Sequence, residues 1–117
     1  MKFIDYNFKF TSYTLWGCGL LVKDALTLTF KDDNTGVVST VDAVINYSAR
    51  GYGRLVIEPH KQRNARMLYK HIQYIKKTVN YRINIVYPAL YNLIGKEFKS
   101  VNSFIKEYNN RAYVYYG

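Results

Sequence analysis

PHKQRNARMLYKHIQYIKKTVNYRINIVYPALYNLIG, residues 59–95, is the stretch whose reading decides the fold. Leu68, Ile72, Ile75, Val79, Ile83, Val86, Leu90 and Ile94 follow one another at steps of three or four, the spacing that lines up side chains on one stripe of a helix. Proline suits the first helical position, where its missing N–H would be unbonded anyway, so Pro59 marks the expected start. Gly95 marks the expected end, and Pro88 an expected kink or interruption. Over residues 81–87 a strand competes, because Val79, Tyr81, Ile83, Ile85 and Tyr87 also alternate and favour sheet; the helix is the preferred reading.

Upstream of Pro59 the period is two. Ile4, Tyr6, Phe8 and Phe10 alternate with Asp5, Asn7 and Lys9, as in a half-buried strand. Residues 20–31 end in Leu26, Leu28 and Phe30 with threonines between them. Asp32-Asp33-Asn34-Thr35-Gly36 has the residue types of a tight reversal, which makes residues 37–47 the returning strand. Residues 48–53 read as a glycine loop and residues 54–58 as a further short strand. Downstream, Ser100 is placed to cap a short helix over 100–109 with Val101, Phe104, Ile105 and Tyr108 inward. Residues 112–116 are expected as an edge strand, whose Tyr113 to Tyr116 could pair with a second copy of the chain. The fold class is therefore α+β: an N-terminal antiparallel sheet of hairpin or meander type, packed against one long amphipathic helix and a short C-terminal helix.

Residues 1–117 form one expected domain, a size at which 49% hydrophobic residues can build a core without covalent help. Cys18 is the single cysteine, so no disulfide forms within the chain and a reducing cytoplasm is the expected home. No apolar run is long enough to span a membrane, and Met1 to Phe10 does not read as a signal peptide. The abundance of Tyr, Asn, Ile and Lys suits an AT-rich genome, which suggests a phage or mobile-element origin.

The net charge is +9, and its distribution says more than its total. Residues 50–82 carry nine basic side chains and one acidic one, a net of +8, whereas residues 1–49 carry four Lys and five Asp, a net of −1. From Pro59 to Gly95 there is no Asp or Glu, so the i, i+4 pairs that usually balance an exposed helix are missing. On a helix wheel centred on Val79, Arg63, Arg66, Lys70 and Lys77 fall on the outer side together with Tyr74 and Tyr81. Cations interleaved with aromatic rings are the equipment of single-strand binders, charges for phosphates and rings for bases. Arg50, Tyr52 and Arg54 extend that patch from the loop before the helix.

Residues 50–57 open like the RNP1 segment of RNA-recognition motifs. Arg54 and Ile57 stand where aromatic residues belong, so the segment is read as a local basic turn. Catalytic patterns are sparse: His60 and His71 have no metal-ligand spacing, and Trp16, Phe3, Phe8, Phe10 and Phe98 are read as core. Cys18, between two glycines, has no evident base and reads as a packed thiol. A metal-dependent nuclease could be built from Asp42, Glu58 and a lysine such as Lys61. The expectation is a non-enzymatic protein without cofactor or metal that binds DNA or RNA with little sequence specificity. The alternative is a factor that binds an acidic protein surface, such as a phage inhibitor of a host or defence complex, or a small virion component.

Overall fold

The computed structural model describes residues 1–17, 19–66 and 69–116; the readings made for Cys18 and Leu68 lie outside these. Four strands, β1 (Lys2–Trp16), β2 (Gly19–Lys31), β3 (Val38–Tyr47) and β4 (Gly53–Ile57), form one antiparallel sheet in the order β1-β2-β3-β4. A single 3₁₀ turn (Tyr69–His71) leads into α1 (Ile72–Tyr81), a π-helical turn (Arg82–Val86) and α2 (Tyr87–Leu93), which together make one continuous helical run; α3 (Val101–Tyr116) follows. At about 3.3 Å per residue, the fifteen residues of β1 account for the molecule's longest dimension of 51 Å.

The expected α+β layering is present. The Asp32–Gly36 turn closes as read, with Gly36 N–H donating to Asp32 O at 2.7 Å and Asn34 N–H to Asp32 Oδ1 at 2.9 Å. Gly36 takes the left-handed φ of 72° that the reversal needs. Residues 81–87 are helical. Tyr87 N–H reaches back five residues to Arg82 O, and this wider turn accommodates Pro88, which cannot donate to a regular helix. Ser100 caps α3 by accepting from Ser103 N–H at 3.2 Å, and Phe104, Tyr108 and Ala112 are buried.

Four expectations are corrected. The helix starts at Tyr69 and not at Pro59, because between Pro59 and Ala65 there is no apolar side chain for a helix to bury. Residues 58–66 instead form an extended strap across the face of the sheet opposite the helices. Residues 112–116 continue α3 and make no strand, so Tyr113 to Tyr116 offer no open strand edge. Trp16 is 78% exposed and belongs to no core. Finally, β1 carries irregularities between Phe3 and Asp5 and between Phe8 and Phe10; the second turns Phe10 to the strap face, where its ring meets His60 edge-on at 5.8 Å.

The core lies between sheet and helices: Phe3, Leu26, Leu28, Phe30, Ile45 and Leu55 face Val86, Leu90, Leu93, Phe104 and Tyr108. Both sheet edges are partly closed. Asn109 pairs with Leu55 as another strand would, its Oδ1 accepting from Leu55 N–H and its Nδ2 donating to Leu55 O, both at 2.9 Å. On the other edge, Gly95 and Lys96 bond to β1 at Phe3, and Arg63 and Ala65 bond to it at Tyr13.

Candidate functional site

The register places the basic segment at one end of the long axis. Ser12, Lys23, Asn46 and Arg54 form one row across the strap face, near the end where β1 meets β2 and β3 meets β4. From Glu58 the strap crosses this face. His60 Nε2 lies 3.0 Å from both Leu26 O and Ala43 O, an arrangement in which one ring N–H is shared between two carbonyls of the central strands. The strap then docks on the outer edge of β1. Tyr13 N–H donates to Arg63 O at 2.6 Å, Ala65 N–H to Tyr13 O at 2.8 Å, and Arg63 N–H to Ser12 Oγ at 2.8 Å. Asn64 bridges Tyr13 in parallel fashion, so the chain heads toward the β1–β2 tip before the helix returns beneath the sheet.

The single outward face proposed for the helix is not what folds. Tyr74 and Tyr81 point inward, the first half-buried with its hydroxyl donating to Tyr47 O at 3.1 Å, the second buried and donating to Gly53 O at 3.0 Å. A tyrosine can bury its ring when its polar tip finds a carbonyl, and both do. Gly53 makes the room, since a Cβ there would stand 2.9 Å from the Tyr81 ring. Arg82 is also drawn inward, by Asp24. These anchors rotate the helix away from the expected stripe, and the π turn shifts its phase again. Ile72, Ile83 and Ile94 are consequently exposed, whereas Thr78, Val86, Leu90 and Leu93 are buried.

The nine residues proposed for the interface divide into neighbourhoods. Arg50 and Lys77 border one recess, with Asn80 and Asn84 beside them. Gly51, at φ 83°, allows this approach, because a Cβ there would stand 2.9 Å from Lys77 Cβ. Tyr52 and Arg54 line a groove against α3 with Lys106 and Tyr113; the Tyr52 ring lies edge-on to Tyr81 at 5.7 Å and to Tyr113 at 6.3 Å. Arg63 sits on the strap, Arg66 follows it, and Lys70 lies in the 3₁₀ turn. Neither Arg63 nor Arg66 is helical.

No protein-family model, curated protein or solved structure matches this chain.

Arg54, Lys61, Arg63, Arg66, Lys70, Lys76 and Lys77 are all exposed and enter no ion pair among the described residues. Five of the eight carboxylates are held in other ion pairs, Asp24 by Arg82, Glu58 by Lys23 at 2.9 Å, Glu107 by Arg111, and Asp33 and Glu97 by Lys2 and the N-terminus at the opposite end of the sheet; Asp5, Asp32 and Asp42 enter none among the described residues. Of the residues that a nuclease would use, Asp42 and Glu58 are adjacent across β3 and β4, with Glu58 N–H 3.4 Å from Asp42 O, and Lys61 lines a recess with Glu58. Among the described residues no three His, Cys, Asp or Glu side chains gather as a metal site, and no helix is long and apolar enough to cross a membrane.

Trp16 is the feature the sequence reading misplaced. β3 pairs with β2 only as far as Lys23, so the tip of the β1–β2 hairpin overhangs the sheet and carries Leu15 and Trp16 with it. The signal for this was the Gly17/Gly19 pair, a reversal immediately after the tryptophan.

Proposed function

We propose that the protein binds nucleic acid through its cation-rich end, with little sequence selectivity. The observation that supports this reading is the set of seven exposed cations that enter no ion pair among the described residues, Lys61 and Arg63 on the strap, Arg66 and Lys70 leading into the helix, Lys76 and Lys77 on α1 and Arg54 on β4. Packing like charges together raises the energy of the folded state, and a polyanion relieves that repulsion while releasing its own counterions. Backbone charge dominates such a contact, so selectivity among sequences is low.

The test is a titration of single- and double-stranded DNA and RNA at two salt concentrations. The logarithm of affinity is expected to fall with the logarithm of salt by roughly 0.7 per phosphate contacted on a single strand. Arg66→Glu and Lys70→Glu are each expected to weaken binding and flatten that slope. Affinity unchanged by both would remove this end of the molecule from the reading.

A second reading, a protein partner, draws on a different observation. Ile83, Tyr87 and Tyr91 stand exposed along the outer side of the helical run, an apolar stripe of the kind that protein contacts cover. A stoichiometric protein partner that survives nuclease treatment during purification would favour it.

A further inference from the structure

We propose that Trp16 is a base-stacking residue: it receives an unpaired nucleobase of a single strand, DNA or RNA, whose phosphates lie along Lys61 and Arg63. The inference rests on the polyanion reading above and adds to it the class of nucleic acid and the residue that selects it.

Trp16 forms a shared wall of two recesses. One, of about 460 Å³, is bounded by Thr14, Leu21, Lys61 and Arg63. The other, of about 380 Å³, is bounded by Leu20, Tyr47 and Tyr74. An indole this exposed leaves a large apolar ring in water, and a nucleobase has a flat face suited to cover it. The base of a duplex is already stacked on both faces, so this preference selects single strands.

The cations are held in position beside the ring. The backbone around Arg63 is fastened at Ser12 and Tyr13, four and three residues from Trp16 on the same strand, and the backbone around Lys61 by the His60 ring on Leu26 O and Ala43 O. The side chains of Lys61 and Arg63 are exposed, so they can follow a flexible phosphate chain while their anchors stay fixed. Glu58 borders the same recess, but Lys23 holds its carboxylate at 2.9 Å. The local balance is therefore Lys23, Lys61 and Arg63 against Glu58, which favours an anion. An apolar recess alone would admit many ligands; the combination of an open indole face and flanking uncompensated cations fits a base attached to its phosphate.

Trp16 is the single tryptophan of the chain, so its own emission reports the contact. The full chain is titrated with a single-stranded oligodeoxyuridylate, an oligouridylate, a duplex of equal length, and inorganic polyphosphate as a polyanion without bases. Both single strands are expected to quench the emission, and polyphosphate to bind without comparable quenching. Trp16→Ala is expected to weaken single-strand binding by on the order of ten-fold while leaving polyphosphate affinity unchanged, and Trp16→Phe to retain most of it. Lys61→Glu and Arg63→Glu are expected to weaken both kinds of ligand. A difference between the two oligonucleotides assigns DNA or RNA as the preferred source of the base. If the strands bind with the emission unaltered and Trp16→Ala binds as tightly as the parent, stacking is overturned while the cationic reading stands; if no polyanion binds, both are overturned.

Discussion

The Arg82 guanidinium grips the Asp24 carboxylate at two points, Nε to Oδ2 at 2.6 Å and Nη2 to Oδ1 at 2.7 Å. Asp24 also accepts from Thr11 Oγ1 at 2.6 Å and from the Tyr47 hydroxyl at 2.5 Å, so both of its oxygens are saturated although the residue is 1% exposed. This contact ties the middle of the helical run to the second strand and fixes which side of the helix turns inward. Arg82→Leu would leave a buried carboxylate without its counter-charge, a loss of about 3–5 kcal/mol. Replacing both partners by apolar residues is expected to cost much less than the sum of the single changes, because no unpaired charge then remains buried. Urea unfolding of the two single variants and the double variant checks this.

The same cluster sets the behaviour in alkali. Burial, reinforced by the Asp24 charge, pushes the Tyr47 hydroxyl far above the ordinary value of 10.0, and burial pushes Tyr108 well above it too. A folded-state value above the unfolded one means that the stability contribution is complete below pH 10.0 and is lost as the pH rises beyond it. The unfolding midpoint is expected to fall steeply above about pH 10, with part of the tyrosinate absorbance appearing only as the chain unfolds. Tyr47→Phe should flatten the fall while weakening the protein near neutrality.

Asn109 closes the edge of β4 with a pair of hydrogen bonds to Leu55. Asn109→Ala leaves both Leu55 groups without that partner, a cost of about 1–3 kcal/mol. It also opens a strand edge, so concentration-dependent self-association is expected on a sizing column where the parent chain shows less.

Gly53 is where β4 passes beneath two tyrosines. A Cβ there would stand 2.6 Å from Ile45 Cγ2 and 2.9 Å from ring carbons of both Tyr47 and Tyr81. Gly53→Ala is expected to destabilise by about 1–3 kcal/mol by displacing those rings, and thermal unfolding measures it. Gly36→Ala, at the far turn where a Cβ meets nothing within 4 Å, should cost only the strain of its positive φ and leave the tyrosine contacts intact.

His60 holds the strap to the central strands. His60→Ala is expected to loosen residues 58–66, seen as faster amide exchange at Tyr13 and Ala65, while the hydrogen bonds of α3 keep their protection. Protection at Tyr13 equal to that of the parent would show that the β1 edge alone secures the strap.

Local pattern was enough for much of the fold. The strands within residues 1–47, the Asp32–Gly36 reversal, the helical period through residues 81–87 and the Ser100 cap each arise within a few neighbouring residues, and each forms in the structure, although two irregularities in β1 break its alternation. The charge gradient along the chain was equally legible, because counting side chains needs no coordinates.

What sequence alone determined about this protein is therefore its layer type and the place in the chain where positive charge accumulates. Only the tertiary structure decided which way that charge faces. Asp24 draws in Arg82 from 58 residues away, carbonyls at Tyr47 and Gly53 draw in Tyr74 and Tyr81, and Ser12 and Tyr13 take residues 63–65 as a strap where a helix was expected. A periodicity argument places side chains around a helix axis but cannot orient that axis toward a partner distant in sequence. That orientation comes from the burial of polar groups, each of which must find its hydrogen bond somewhere in the fold.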